Sequence, residues 1–317
     1  MLYLIALQRY IYFLCKTNKC YQQTPNTLHK AGFVNIIGCP NVGKSTLMNA
    51  LVGERLSIIT SKAQTTRHRI MGIVSGDNYQ VVFSDTPGIL KPNYKLQEKM
   101  MQFVITALSD ADLFLLITDI YEDIELDETY LEKLKKTDTP IIVLINKIDA
   151  AKPEQLEEKA KKWRSLLPKA ELQFISALQK INLDKIMKRI IDLMPEAPAF
   201  YDKDTLTDKN ERFFVSEIIR EKILLNYKKE IPYSVEVNVN SFKDEEKIIK
   251  IQADILVERD SQKGIIIGDK GSAIKKVGEQ ARKECEAFFG KKIYLELFVK
   301  VDKDWRNNES RLKNFGY

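Results

Sequence analysis

The segment Gly38–Ser45, which reads Gly-Cys-Pro-Asn-Val-Gly-Lys-Ser, constrains the fold of this chain more than any other. It fits the pattern G-x-x-x-x-G-K-[ST], follows a short β-branched apolar run and precedes a stretch with helical character. Its glycines let successive backbone N–H groups point into one concavity, and the N-terminus of the next helix adds positive potential. The segment therefore predicts a strand–loop–helix unit that binds a polyphosphate through its amides, with a plain glycine-rich turn as the alternative.

The first two thirds of the chain alternate short apolar runs with amphipathic helical stretches. This alternation predicts an α/β fold, a doubly wound parallel sheet with helices on both faces, as in P-loop proteins. A helix around residues 183–190, with apolar side chains at helical spacing, would close this domain. The predicted strands are Phe33–Ile37, Ile70–Val74, Gln80–Ser84, Leu113–Thr118, Ile141–Ile145 and Leu172–Ile175.

The last third shows a different pattern, which predicts a second, α+β domain. One helix at about Glu211–Asn226 is followed by three segments of alternating apolar residues, with helical material and a glycine pair before the last of them. The order α-β-β-α-α-β predicts a three-stranded sheet with helices on one face. We assign residues 1–30 to an N-terminal extension, 31–195 to the first domain, 196–208 to a linker and 209–317 to the second domain.

Composition excludes several classes of protein. The chain of 317 residues has four cysteines without a C-x-x-C pair and two histidines, so neither a disulfide framework nor a Cys/His zinc site is supported, and a reducing cytoplasm is expected. The net charge of +6 permits a local basic surface without requiring one. Residues 2–15 are apolar but too short to span a bilayer, and we expect residues 1–30 to be a poorly ordered extension or an over-long start.

Several polar residues at the ends of the predicted strands suit phosphate and magnesium chemistry. Lys44 would contact the β and γ oxygens, and Ser45 and Thr66 would be hydroxyl ligands of Mg²⁺, Thr66 only when a γ-phosphate is present. Asp85 of the segment Asp-Thr-Pro-Gly would orient a magnesium-bound water, and Gly88 would turn its N–H toward the γ-phosphate. The alternative for Thr66 is a solvated loop with incidental threonines.

The segment Asn146-Lys147-Ile-Asp149 indicates which base is bound. The carboxylate of Asp149 can accept two hydrogen bonds from the N1–H and the exocyclic amine of guanine, whereas adenine offers no such pair of donors. This feature selects GTP over ATP. A backbone N–H of Ser176-Ala177-Leu178 would reach the guanine oxygen. The residues predicted to contact the nucleotide are Gly38, Asn41, Val42, Gly43, Lys44, Ser45, Thr46, Asp85, Gly88, Asn146, Lys147, Asp149, Ser176, Ala177 and Leu178.

The second domain carries the sequence Gly268-Asp269-Lys270-Gly271, which fits the G-x-x-G loop of KH domains. Bare glycine backbone lets a nucleic-acid strand approach closely, and Lys270, Lys275 and Lys276 can meet phosphates. A KH cleft takes about four unstacked nucleotides, so single-stranded RNA is the expected ligand. A solvated charged helix after a turn is the alternative.

These motifs, together with Gln-Thr-Thr-Arg-His-Arg, resemble the Era-type GTPases of bacteria over roughly residues 31–317. The resemblance implies a Ras-like GTPase domain joined to a type II KH domain, GTP or GDP and Mg²⁺ as cofactors, and a role in maturation of the small ribosomal subunit through the 3′ end of its rRNA. It also implies a cytoplasmic location with loose attachment to the inner membrane, and we expect the protein to be a monomer.

The resemblance also assigns catalytic positions. Ile89 stands where Ras-like enzymes carry a water-orienting glutamine, so intrinsic hydrolysis should be slow. Asn41 matches an asparagine that holds K⁺ beside the phosphates in related GTPases, which predicts potassium stimulation. The predicted catalytic residues are Lys44, Thr66, Gly88 and Asn41. The alternative function is a slow GTPase switch that acts on protein or membrane partners, with the second domain as a spacer.

Overall fold

The structure, a computed structural model, describes residues 29–121 and 127–317. The interpretation of residues 1–30 as an extension therefore lies outside the described residues, except for His29 and Lys30. Lys30 already belongs to the first strand. Among the helices that are described, none is long and apolar enough to cross a membrane.

The first two thirds of the chain form a six-stranded sheet covered by helices on both faces. All six predicted strands are present; the first begins three residues before its predicted start, and every other bound agrees to within one residue. The strands are β1 (Lys30–Ile37), β2 (Ile70–Ser75), β3 (Tyr79–Asp85), β4 (Leu113–Asp119), β5 (Ile141–Asn146) and β6 (Glu171–Phe174). The helices are α1 (Lys44–Val52), α2 (Lys95–Ser109), α3 (Glu128–Lys136), α4 (Pro153–Leu166) and α5 (Leu183–Leu193).

The strand order is β2-β3-β1-β4-β5-β6, and one strand corrects the prediction of a parallel sheet. β2 runs antiparallel to β3, whereas the other neighbouring pairs are parallel. Only residues 76–78 separate β2 from β3, and Gly76 N donates to Tyr79 O at 2.8 Å. A connection this short closes a hairpin, because a parallel pair requires a crossover of a dozen or more residues.

The central strands bring the functional segments to one edge of the sheet. β1 and β4 are buried along almost their whole length, as expected for strands between two helical layers. Because β1, β3, β4, β5 and β6 run in the same direction, the segments that follow them meet at one edge. In open α/β sheets this edge is where ligands bind.

The last third folds as predicted, in the order α-β-β-α-α-β. The helices are α6 (Glu211–Asn226), α7 (Asp260–Ile267) and α8 (Ser272–Phe289), and the strands are β7 (Glu236–Asp244), β8 (Ile248–Val257) and β9 (Lys292–Val301). β7 is antiparallel to β8, and β8 is parallel to β9. Apolar residues of α6 and α8 pack on the inner face of the strands, and a short helix α9 (Glu309–Asn314) follows.

Residues 196–208, which we predict to be a linker, lie against the first sheet. Ile73 N donates to Leu206 O at 2.8 Å, and Thr207 bridges to Gly72 of β2. The Gln80 side chain accepts hydrogen bonds from the backbone of residues 200 and 201. The segment therefore covers the open edge of β2, while the division of the chain into domains stays a prediction.

Candidate nucleotide site and nucleic-acid interface

The predicted nucleotide residues converge on a cleft at the carboxyl edge of the sheet, with a volume of about 370 Å³. The segment 58–66 contributes to one side of the cleft. Four predicted residues do not line it but are hydrogen-bonded to residues that do: Gly38, Val42, Asp85 and Ala177. The predicted residues that line the cleft are Asn41, Gly43, Lys44, Ser45, Thr46, Thr66, Gly88, Asn146, Lys147, Asp149, Ser176 and Leu178.

The phosphate loop takes a shape that requires its glycines. Gly43 has φ +102°, and a Cβ there would lie 2.4 Å from Nδ2 of Asn146. A Cβ on Gly38 would lie 2.2 Å from the carbonyl oxygen of Ile117. The Lys44 ammonium donates to the carbonyls of Cys39, at 2.6 Å, and Gly38, at 3.1 Å. The cation is thus held over the loop, where phosphate oxygens can take hydrogen bonds from it.

Three oxygen-bearing side chains form a cluster beside the loop that suits Mg²⁺. Ser45 Oγ donates to Asp85 Oδ2 at 2.6 Å and lies 2.8 Å from Thr66 Oγ1, which is 3.3 Å from the same carboxylate oxygen. The other oxygen, Asp85 Oδ1, is buried and has no hydrogen-bond partner in the described part of the chain. Oxygen atoms with free lone pairs suit Mg²⁺, which favours carboxylate, hydroxyl and water ligands.

The Asp85 carboxyl is fully buried, and burial raises its pKa above the usual value of 3.8. The hydroxyl of Ser45 and the charge of Lys44 oppose that shift. A cation next to this carboxylate would offset the cost of burying its charge. The cluster is therefore arranged for an occupant of positive charge.

The guanine segment is held in place by hydrogen bonds to its neighbours. Asn146 Nδ2 donates to Val42 O at 2.8 Å, and its Oδ1 accepts from Ala177 N at 2.9 Å. Ser176 Oγ donates to Asp149 Oδ1 at 2.5 Å, which leaves the other carboxylate oxygen to face a base. The backbone N–H of Ala177 already donates to Asn146. The donor for the guanine oxygen is therefore expected to be another backbone N–H of the same turn.

Sequence reasoning missed Asp119, the last residue of β4. Its carboxylate pairs with the Lys147 ammonium, which also donates to Asn41 O at 3.0 Å. Asp119 is buried and also accepts from Tyr121 N at 2.9 Å. Lys147 thereby links the guanine segment to the phosphate loop. The position of Asp119 at a strand end, like that of Asp85, is the signal that could have identified it.

The residue after Gly88 does not enter the cleft. Ile89 is buried against Leu96, Met100 and Trp305, in a cluster that joins α2 to the end of the chain. Its aliphatic side chain has no group that could orient a water. A Cβ on Gly88 would lie 2.7 Å from the backbone of Pro40, so glycine allows the close approach of these two segments.

The predicted KH loop is an exposed turn between α7 and α8. Gly268 and Gly271 have φ of +72° and +80°, and Lys270 between them also has positive φ, +47°. Lys270, Lys275 and Lys276 are exposed. A Cβ on Gly271 would meet nothing within 4 Å. The loop and the first turn of α8 therefore present bare backbone and three cations on one surface.

The segment that carries Thr66 is fixed to the second half of the chain, which the sequence did not predict. Arg220 on α6 donates to the carbonyl oxygen of Thr65, and Lys62 donates to the last carbonyls of α6. Arg67 is fully buried and donates to Val235 O at 2.8 Å and to Glu236 at 3.1 Å. Both residues that flank Thr66 are therefore bonded to α6 or to the start of β7.

Comparisons with known proteins agree with this arrangement. A family model described as "50S ribosome-binding GTPase" matches residues 33–147, and one described as "KH domain" matches residues 230–306.

A GTPase Era of Staphylococcus epidermidis is 44% identical over 293 residues, 92% of this chain and 98% of that protein. A crystal structure of Era in complex with MgGDPNP and nucleotides 1506–1542 of 16S ribosomal RNA has a TM-score of 0.87 and 38% identity, covering 91% of this chain and 99% of that one. An Aquifex aeolicus Era variant bound to GDP and AlF₄⁻ gives the same values. The chain belongs to the Era family of GTPases.

Proposed function

We propose that this protein binds and hydrolyses GTP and uses its KH domain to bind the 3′ end of small-subunit rRNA during maturation of that subunit. The observation that carries the proposal is a cleft lined by the phosphate loop, by Ser45 and Thr66, which are bonded to Asp85, and by Asp149. The Era structure that contains nucleotides of 16S ribosomal RNA supports the choice of RNA.

Nucleotide binding follows from groups already placed in the cleft. The amides of the phosphate loop and the Lys44 ammonium bind the phosphates, and Ser45, Asp85 and, with GTP, Thr66 hold Mg²⁺. When bound, the metal would neutralise part of the phosphate charge. Asp149, oriented by the Ser176 hydroxyl, selects guanine because adenine would leave the carboxylate without donors.

Hydrolysis by this arrangement should be slow. Gly88 lines the cleft and would offer its N–H to a γ-phosphate, but Ile89 cannot orient the attacking water. Asn41, at φ +67° in the phosphate loop, is the residue we propose to hold K⁺ beside the phosphates. A monovalent cation there would supply positive charge where the transition state develops negative charge.

The contacts around Thr66 suggest how the nucleotide state reaches the RNA-binding half. If Thr66 moves to complete the coordination of Mg²⁺, Thr65 and Arg67 must move with it, and both are bonded to the second half of the chain. The γ-phosphate would thus change how the KH domain is held against the first domain. This supports a GTP-controlled RNA-binding factor.

A labelled single-stranded RNA with the sequence of the 3′ end of small-subunit rRNA tests the proposal by fluorescence anisotropy. Gly271→Asp should abolish binding while leaving GDP affinity unchanged, because a side chain there meets open space in the protein and only the RNA is obstructed. The double change Gly268→Asp with Gly271→Asp should also abolish RNA binding. It is the less specific variant, because a Cβ on Gly268 would lie 2.6 Å from Ala273 Cβ and would disturb the loop itself.

Gly290→Asp is the matched control, since Gly290 also has positive φ and open space but lies at the far end of α8. It should bind RNA like the unchanged protein. Equal RNA affinity of Gly271→Asp and Gly290→Asp would favour the alternative function, a slow GTPase switch with the second domain as a spacer.

We also propose that the protein works as a monomer in the cytoplasm, with peripheral attachment to the inner membrane, as resemblance to the Era family implies. Sedimentation of the purified protein tests the oligomeric state. Fractionation of cells in low and high salt tests the attachment, because a peripheral protein should leave the membrane at high salt.

A further inference from the structure

Arg220 of α6 is a buried arginine whose guanidinium contacts the first domain. It is 1% exposed, and it forms a two-pronged ion pair with Glu217 on the same helix, with Nε donating to Oε1 at 2.7 Å and Nη2 to Oε2 at 2.5 Å. The other edge of the guanidinium donates to the carbonyl oxygens of Gln64, at 3.5 Å, and Thr65. Because the guanidinium is planar, Glu217 orients that edge toward the segment that carries Thr66.

The segment that Arg220 contacts is held together by its own side chains. Thr65 Oγ1 donates to Lys62 O at 2.6 Å and lies 2.6 Å from Thr60 Oγ1, which also accepts from Lys62 N at 3.1 Å. The Lys62 ammonium donates to the carbonyls at the end of α6, so that helix holds the segment at two places. A shift of α6 or the loss of these contacts should therefore be transmitted to the next residue, Thr66.

The hydroxyl of Thr66 already lies beside the other proposed magnesium ligands. It is 2.8 Å from Ser45 Oγ and 3.3 Å from Asp85 Oδ2, and Thr66 is buried. GTP requires this hydroxyl as a ligand whereas GDP does not, because such a contact forms only when a γ-phosphate is present. Holding Thr66 in place before the nucleotide binds reduces the ordering cost of binding GTP and leaves that of GDP unchanged.

We propose that Arg220 is a positioning residue of the nucleotide site, through which the second half of the chain raises the affinity for GTP relative to GDP. Its guanidinium holds the carbonyl of Thr65, and this contact keeps Thr66 at the magnesium site. The inference rests on the proposed role of Thr66 as a ligand. It concerns the effect of the second half on the nucleotide, which is the reverse of the effect proposed above.

The full chain with the double change Arg220→Met and Glu217→Leu tests this role. Replacing both partners by apolar residues leaves no unpaired buried charge, whereas the Thr65 carbonyl loses its donor. The affinities for GDP and for GDPNP, a non-hydrolysable GTP analogue, are measured by competition with a fluorescent GDP analogue, in Mg²⁺ and in EDTA. In Mg²⁺, the affinity for GDPNP should fall about 10-fold, within the usual range of coupling between sites, and that for GDP should stay within about twofold.

The measurement in EDTA separates positioning from a general loss of structure. Without the metal Thr66 has nothing to coordinate, so the variant and the unchanged protein should bind GDPNP equally well. The matched control is Arg282→Met with Glu286→Leu, which removes an Arg–Glu pair within α8 at 2.7 Å and should change no affinity. If the first double variant does not fold, Arg220→Lys decides, because it keeps the charge beside Glu217 without the planar fork and should show the same magnesium-dependent loss.

A folded Arg220 variant with an unchanged ratio of GDPNP to GDP affinity in Mg²⁺ overturns the inference, and so does a loss of equal size in EDTA. Thr66→Ala distinguishes this failure from failure of the proposed site. Should Thr66→Ala keep the full affinity for GDPNP in Mg²⁺, the assignment of Thr66 as a ligand is wrong. Should the affinity fall in Thr66→Ala but not in the Arg220 variants, only the positioning role is wrong.

Discussion

Replacing Arg67 by methionine should destabilise the protein far more than replacing a more exposed arginine of the same region. Arg67 is fully buried and donates to Val235 O, to Glu236 and, at 3.3 Å, to the carbonyls of Pro232 and Tyr233. Methionine retains much of the side-chain volume but leaves these acceptors without a donor. Breaking a buried ion pair by removing one partner costs about 3–5 kcal/mol.

Glu236 explains why the loss should be large. Burial raises the pKa of its carboxyl group, and Arg67 is the first of the charges that oppose this rise. Without Arg67, the carboxylate keeps the Tyr317 hydroxyl at 2.8 Å and the more distant charge of Arg220. The double variant Arg67→Met with Glu236→Gln should therefore recover part of the lost stability, with a coupling energy of about 1–3 kcal/mol.

Guanidinium unfolding followed by tryptophan fluorescence measures this effect, since Trp305 lies with its ring centroid 6.0 Å from the Arg67 guanidinium carbon. Arg55→Met is the matched control. The Arg55 side chain is 46% exposed, and its buried partner Glu221 keeps the Lys222 ammonium at 2.7 Å, so removing Arg55 should cost about 1 kcal/mol or less. A loss for Arg67→Met no larger than for Arg55→Met would refute the reasoning.

Three further predictions concern pH, base and cation. Burial, with the charge of Lys209 adding to it, holds the pKa of His68 well below its usual 6.5, so the contribution of neutral His68 to the free energy of unfolding should be fully present above pH 6.5 and decline as pH drops below it; His68→Phe should flatten that decline in thermal unfolding, and an equal decline in the variant would contradict the assignment. Asp149→Asn should weaken GDP binding about 10-fold or more in calorimetry and allow xanthosine diphosphate to bind, whereas unchanged GDP affinity would contradict the guanine assignment. Single-turnover hydrolysis should be faster in K⁺ than in Na⁺, and Asn41→Ala should remove the difference; equal rates in the two salts for the unchanged protein would exclude a potassium site.

The strands and the nucleotide residues were predictable because both depend on local sequence. Apolar runs of four to seven residues form strands wherever helices cover both faces, and a parallel sheet brings the ends of its strands to one edge. Asp85 and Asn146 end their strands and Lys44 begins the helix after β1, so the three residues had to meet once the strands were parallel. The direction of β2 was missed although the short connection at residues 76–78 carried the signal.

The contacts between the two halves could not be predicted in the same way. Arg67 and Arg220 resemble ordinary surface arginines in the sequence, and their burial depends on the placement of α6 against the segment that carries Thr66. Asp119 could be predicted only in part. Its position at a strand end was evident from the sequence, but its ion pair with Lys147 was not. Tertiary placement, rather than local pattern, determines these roles.

The run Arg67-His68-Arg69 limits where a nucleotide-dependent movement can occur. A solvated loop was the alternative considered for the segment that carries Thr66, but all three side chains are buried, each in a different environment. Arg69 binds Asp110, at 2.6 Å, and other groups of the first domain, so it anchors the end of the segment to the sheet. Arg67 binds the second half, and His68 stacks on Tyr317 with ring centroids 4.2 Å apart. We therefore expect a movement of Thr66 to leave Arg69 in place and to disturb the contacts of Arg67 and His68 with the second half of the chain.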